Sequence, residues 1–260
     1  MTPEPSSTMQ SVAARLRAAG CVFAEEEARL LVEASDSLAA LAALVERRAA
    51  GEPLEYLLGW AEFCGVRIAL EPGVFVPRRR TEVLARRAAA LAVPGAVVVD
   101  LCCGSGAVGA AIRAAVSPIE LYATDLDPTA VRCSRANLPG EGAHALEGDL
   151  FEPLPATLRG RVDIVAVNAP YVPTGEIHTL PREARDYESH LALDGGGDGL
   201  AVHRRIARAA PAWLAPGGLV LVETSRRQGQ LTLDIFAAEG FAVRLVRQNR
   251  RDATVLIGTR

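Results

Sequence analysis

From Ser11 to about Ala50 the apolar positions recur at helical spacing in three short segments. SVAARLRAAG stops on a glycine, EEEARLLVEAS follows, and SDSLAALAALVERRAAG opens with cap-type residues and closes on Gly51. This pattern predicts a small N-terminal helical domain over residues 1–52, read as a substrate-recognition domain. Over residues 53–78 the period shortens. AEFCGVRIAL, a turn at Glu71-Pro72-Gly73 and VFV predict a linking β-hairpin. From residue 79 to 260 the chain alternates strand and helix: the helix TEVLARRAAALA, then AVVVDL, a Gly-rich turn and helix, IELYATD, a helix from Pro128, HALEGD, VDIVAVN, a helix near 200–214, LVLVET, a further helix, FAVRLV and ATVLIG. Strands alternating with helices predict an α/β domain whose parallel sheet is covered on both faces.

A chain of 260 residues, half of them hydrophobic, has room for one large domain or for one domain with a smaller companion. The formal net charge of -3 argues against a dedicated nucleic-acid binder, which carries a basic excess. Cys21, Cys64, Cys102, Cys103 and Cys133 are odd in number and contain no C-x-x-C pair, so neither a disulfide framework nor a zinc knuckle is indicated. The four histidines lack metal-ligand spacing, and no metal is expected. Without an apolar signal core or a long charge-free apolar run, the expected compartment is the cytoplasm.

VVVDLCCGSGAVGAAI runs from a buried strand into a helix through Gly104-Ser105-Gly106, formally the start of a G-x-G-x-x-G. Glycines there let the backbone approach a ligand at the strand tip, beside a helix N-terminus. The neighbours choose between ligands. Asp100 puts a carboxylate at the strand end, which repels a diphosphate and favours S-adenosylmethionine (SAM), with its α-ammonium and sulfonium. Asp125 closes the second strand, 19 residues beyond Gly106, where an acidic side chain accepts ribose hydroxyls; NAD enzymes share that spacing. Asp127, before Pro128, suits a helix cap. Asp149 is placed to meet the adenine amino group, with Leu150 and Phe151 as candidate apolar walls.

The fourth strand leaves through Asn168-Ala169-Pro170-Tyr171. An amide oxygen and a backbone carbonyl together accept both N–H bonds of a substrate NH₂ group. Held so, a nitrogen whose lone pair is delocalised becomes more pyramidal and presents that pair to a methyl carbon. Pro170 stiffens the turn, and Tyr171 offers a face for a planar amide or base. Arg78-Arg79-Arg80 reads as a solvated helix entrance, Thr81 and Glu82 as a helix start, and DGGGDGL as a flexible loop capping the next helix.

In order along the chain these motifs make it resemble the HemK/PrmC family of N(5)-glutamine methyltransferases. GEPLEYLLGWAEFCGVRIALEPGVFVPRRRTEVL resembles the family's linker and its Pro-Arg…Thr-Glu signature, DLCCGSGAVG its SAM motif, and NAPY its Asn-Pro-Pro-Tyr. DYESHLALDGGGDGLAVHRRI and LAPGGLVLVETSRRQ also fit. The resemblance implies a Rossmann-like class I SAM-dependent methyltransferase with a seven-stranded sheet, its last strand antiparallel. It implies a protein substrate, the glutamine of the Gly-Gly-Gln loop of a peptide chain release factor. It assigns Cys102, Cys103, Gly104, Ser105, Gly106, Asp125 and Asn168 to SAM, and Asn168, Ala169, Pro170 and Tyr171 to the glutamine amide. Arg78 matches the signature, the exception within its arginine run. Ala169 stands where the signature has its first Pro, a change that keeps the backbone carbonyl; Ser189 follows Glu188 where the family commonly has Pro. The same acceptor pair also suits another protein, a small-molecule amide or amine, or an exocyclic base amine. An NAD-dependent oxidoreductase and a SAM-binding homologue without catalysis are the readings from other classes.

Overall fold

The apolar residues spaced along the first segments meet one another. The computed structural model describes residues 5–260. Helices α1 (Pro5–Ala18), α2 (Ala24–Glu33) and α3 (Leu38–Ala49) bury Leu16, Leu31, Leu41 and Val45 in a cluster of their own. Ser37 caps α3 by accepting from the Ala40 N–H at 3.1 Å, and Gly20 and Gly51 follow α1 and α3 at positive φ. The short α4 (Leu54–Leu58) leans Leu54, Leu57 and Leu58 on this cluster.

The hairpin is built differently from the expectation. Its strands are β1 (Trp60–Phe63) and β2 (Val66–Ala69), and the turn is Cys64-Gly65, with φ of 54° and 80°. Glu71-Pro72-Gly73 lies beyond β2. Positive φ at both central residues is what a two-residue hairpin turn requires, and Cys64 fills a position usually taken by Asn or Asp, which hid the turn.

Then follow α5 (Glu82–Leu91), β3 (Val97–Leu101), α6 (Ala107–Ala115), β4 (Glu120–Asp125), α7 (Pro128–Asn137), β5 (Ala143–Glu147), β6 (Val162–Val167), α8 (Arg182–Tyr187), α9 (His190–Leu193), α10 (Ala201–Ala209), β7 (Leu214–Thr224), α11 (Gly229–Ala238), β8 (Ala242–Gln248) and β9 (Ala253–Thr259). Among the described residues seven strands form one sheet in the order β5-β4-β3-β6-β7-β9-β8, and only β9 runs antiparallel to its neighbours. The central β3 is buried at all five residues because helices cover both faces. Val98 joins the cluster containing Leu84, Ala88 and Ile112, whereas Val97, Val99 and Leu101 join the one containing Ile206, Phe236 and Trp213. Strand period two therefore puts Asp100 on the α6 face. Among the described residues no helix is long and apolar enough to cross a membrane.

Arg48 joins the helical cluster to the α/β part. Its side chain is 7% exposed, and it donates to Glu27 of α2 at 2.6 Å while pairing with Glu183 of α8 at 2.7 Å. Burial opposes the charge, and the two carboxylates outweigh it, so the guanidinium pKa is raised. Removing one member of such a pair strands its partner without solvent. Arg48→Ala is expected to lose about 3 kcal/mol of stability in urea unfolding; a loss under about 1 kcal/mol would show that water replaces the guanidinium.

Candidate active site

Strands β3 and β6 pair in parallel, Leu101 opposite Val167, so the glycine turn and the Asn168 exit leave the sheet as neighbours. Between them opens a cavity of about 540 Å³ lined by both. Every cofactor and acceptor residue expected from the sequence lies on its wall: Asp100, Cys102 to Ser105, Asp125, Asp149, Leu150 and Asn168 to Tyr171, except Gly106, which sits behind it.

The glycines divide their work. A Cβ on Gly104 would meet nothing nearer than Phe75 Cβ at 4.0 Å, so this residue leaves room for a ligand against its backbone. A Cβ on Gly106 would lie 3.0 Å from Ser134 Cβ, and its φ is 76°. The missing side chain at Gly106 therefore lets α6 pack on α7. Gly109 faces Leu121 and the Asp100 carboxylate in the same way. Cys102 takes positive φ, 56°, at the strand exit. Burial raises both the Cys102 and the Cys103 thiol well above the ordinary range, which removes them as nucleophiles and leaves them as turn packing.

Three carboxylates mark the cofactor half. Asp100, 1% exposed, accepts from the Gly109 N–H at 2.8 Å. Asp125 accepts from the Gly104 N–H at 2.8 Å and the Asp127 N–H at 3.0 Å, tying the turn to the tip of β4. Asp127 caps α7 through the Thr129 N–H at 2.8 Å, as expected. Asp149 receives Arg205 of α10 on one oxygen at 2.6 Å. Leu150 faces the cavity, but Phe151 turns away and stacks on Trp213, centroids 5.8 Å apart, so it is core and not a wall. Leu126, 53% exposed, lines the cavity beside Asp125 and escaped the sequence reading. So did Asn137, whose amide binds both backbone groups of Ala69 at 2.8 Å and the Ser105 carbonyl at 2.9 Å, pinning the hairpin to the turn.

The other half of the wall comes from the segment after the hairpin. Glu188, buried, accepts from Arg78 at 2.5 Å and from the Val76 N–H at 3.3 Å, and the Ser189 N–H reaches the Gly73 carbonyl at 3.2 Å. Arg80 is not a solvated helix entrance. It donates to the buried Glu223 of β7 at 3.2 Å and lies 6.0 Å from the Tyr171 ring centre. The Tyr171 hydroxyl also reaches Glu223, at 3.4 Å, and burial and that carboxylate push the phenol up to about 12. Thr81 makes no cap; its buried hydroxyl borders the cavity. Glu188 lies between α8 and α9 and Glu223 on β7, far along the chain from the arginines, and no local pattern announces either pairing. The DGGGDGL segment supplies no side-chain cap to α10; Asp198 accepts from the Leu200 N–H at 3.0 Å just before it, and the segment is tightly folded, since a Cβ on Gly195 would lie 2.5 Å from the Gly199 carbonyl.

The donor set fits SAM. Asp125 offers acceptors to a ribose, Asp100 supplies charge to a cation once it ionises, Gly104 leaves space for close approach, and ionised carboxylates here oppose a diphosphate. Facing them, the Asn168 side chain and the Ala169 and Pro170 carbonyls have no hydrogen-bond partner among the described residues. The arrangement can hold an NH₂ group opposite an electrophilic carbon.

The family described as methyltransferase small domain matches residues 65–195. A release factor glutamine methyltransferase of Geobacter sulfurreducens is 37% identical over 227 residues, covering 86% of this chain and 79% of that protein. A 4-amino-L-phenylalanine/4-methylamino-L-phenylalanine methyltransferase of Streptomyces pristinaespiralis is also 37% identical, over 203 residues, 75% of this chain and 69% of that protein. Among solved structures, a methyltransferase from Pyrococcus furiosus aligns with TM-score 0.57 at 16% identity, covering 75% of this chain and 89% of the other; this likeness concerns the fold alone.

Burial pushes the Asp100 carboxyl up to about 8; the Gly109 N–H works against that, and the Asp125 charge adds to it. The folded chain thus keeps a proton that the unfolded chain releases near its ordinary 3.8, so this group's contribution to stability falls as pH rises from there to about 8. A cationic ligand selects the ionised form. SAM affinity is expected to rise by up to about tenfold per pH unit below 8, with release of a proton, in calorimetry across buffers of different ionisation enthalpy. Affinity flat from pH 6 to 8 would remove Asp100 from contact with the cation.

Proposed function

The chain belongs to the release factor glutamine methyltransferase family, and on that premise we propose that this cavity methylates the side-chain amide nitrogen of the glutamine in a release factor's Gly-Gly-Gln loop, with SAM as methyl donor. The observation that carries the reading is the unpartnered acceptor set at Asn168 and Ala169 across the cavity from the carboxylates of Asp100 and Asp125. SAM supplies a sulfonium-bound methyl group, a carbon ready for in-line displacement.

The protein's part is placement. Asp100 and Asp125 hold the donor's charge and ribose against the tip of β3. The Asn168 side-chain oxygen and the Ala169 carbonyl take the two amide hydrogens, and the lone pair left on nitrogen points at the carbon. Tyr171 supports the flat carboxamide by its ring face. With SAM bound, the nitrogen lone pair would form the new bond to the methyl carbon as the carbon–sulfur pair leaves on sulfur to give a neutral thioether, and one N–H proton of the methylated amide would pass to water. Replacement of Pro by Ala at 169 leaves the acceptor in place, because the acceptor is main chain. A release-factor substrate would put the reaction in the cytoplasm.

The S. pristinaespiralis relative supports a second reading, an amino group of a small molecule, since an aryl amine offers the same two hydrogens. Incubation with labelled SAM and purified release factors, followed by mass spectrometry of the Gly-Gly-Gln peptide, is expected to find one methyl group on the glutamine. An unmodified peptide beside methylated 4-amino-phenylalanine would select the second reading. Asn168→Ala is expected to abolish transfer while weakening SAM binding by less than about tenfold, below ~1.4 kcal/mol; wild-type turnover in that variant would remove Asn168 from the chemistry. Asp125→Ala is expected mainly to weaken SAM, and unchanged affinity in calorimetry would refute its ribose contact.

A further inference from the structure

Of the four peptide carbonyls from Ala169 to Val172, residues that line the cavity, the protein has already used two. The Val172 carbonyl accepts from the Gly195 N–H at 2.8 Å. The Tyr171 carbonyl accepts from the side chain of Gln228, whose Nε2 is 3.0 Å away. Those of Ala169 and Pro170 carry no bond from the described residues.

Gln228 is held with little freedom. It is 6% exposed and precedes α11. Its Nε2 also donates to the Asp198 carbonyl at 3.0 Å, while its Oε1 accepts from the Ser225 hydroxyl at 2.6 Å, which fixes which way the amide points. Gly199 closes the assembly: a Cβ there would stand 2.3 Å from the Tyr171 oxygen and 2.5 Å from Gln228 Nε2. Only glycine, at φ 76°, lets the loop, the amide and the turn share this space.

This clamp sits where the sequence has lost stiffness. A proline at position 169 would lock its own φ, and Ala169 does not. We propose that Gln228 is a positioning residue for methyl transfer: by fastening the Tyr171 carbonyl, with Gly199 making room, it fixes the Pro170-Tyr171 peptide and leaves the Ala169 carbonyl as the acceptor beside Asn168. Gln228 does not line the cavity and acts through Tyr171. The inference rests on the reading of NAPY as the acceptor turn.

The test compares wild type with Gln228→Ala and Gln228→Glu. Gln228→Ala is expected to bind SAM within about twofold of wild type and to lose kcat by about ten- to a hundredfold on the Gly-Gly-Gln substrate, the scale of a misplaced reacting group. Wild-type kcat, or kcat and SAM affinity falling together with thermal stability, would overturn the proposal. In Gln228→Glu a carboxylate would face two carbonyl oxygens, and only its protonated form could donate to Tyr171. Activity of that variant relative to wild type is therefore expected to rise as pH falls from 8 to 6, and a constant ratio would count against the clamp. A crystal structure of Gln228→Ala decides the matter without a substrate: displacement of residues 169–171 with the sheet unmoved supports the role, and an unmoved turn ends it. If wild-type protein methylates no Gly-Gly-Gln protein, the function proposed above fails, and the crystal structure still judges the clamp.

Discussion

The structure depends on one backbone pairing, the parallel ladder between β3 and β6. Neighbouring strands lie about 4.8 Å apart, so pairing Leu101 with Val167 delivers the glycine turn and the Asn168 turn to the same edge of the sheet. From there the chain diverges. After β3 it crosses to β4 on one side, while β6 is followed by β7 on the other. A crevice opens where the two directions part, and the electrostatics of its two walls differ. One wall carries Asp100, Asp125 and Asp149; the other presents the Asn168 amide and free carbonyls as acceptors, with Arg78 and Arg80 in the same lining. A cation on one side and an NH₂ group on the other is the pairing those walls favour.

Buried charge is concentrated around this crevice. Asp100 has a backbone N–H against it, Glu188 has Arg78, and Glu223 has Arg80 with the Tyr171 hydroxyl. One oxygen each of Glu188 and Glu223 is buried without a hydrogen-bond partner among the described residues. Burial raises the pKa of all three carboxyls. Such groups lower stability relative to a well-packed apolar core, and here they lie beside the Asn168 turn, whose neighbours they tie together. Two arginines of one run do different work: Arg78 fastens the segment after the hairpin to Glu188, and Arg80 places its charge near the ring of Tyr171.

Much of the scaffold was legible from short-range pattern. The three N-terminal helices with their glycine stops, the alternation of strand and helix, the Asp127 cap and the cavity position of Asp100, Asp125 and Asn168 all rest on periodicity or on residues adjacent in sequence. The errors have local causes as well. Cys64 supplied a positive φ that composition assigns to Asn or Gly, so the hairpin turn was read eight residues late, at Pro72. Phe151 follows Leu150 in the chain, but the positive φ at Leu150 turns it into the core. Within the glycine motif, the packing of Gly106 against Ser134 of another helix has no local signal either.

By itself the sequence determined the order of elements and the chemical types available at each strand tip, because backbone preference and apolar period act over a few residues. Tertiary structure alone decided which groups meet. Arg80 and Glu223 are 143 residues apart, Tyr171 and Gln228 are 57 apart, and Arg205 reaches Asp149 across 56. Their contact depends on strand order, helix packing and the absence of a Cβ at Gly199, none of which a local reading contains, since hydrogen bonds form between whatever donors and acceptors the completed fold brings within about 3 Å.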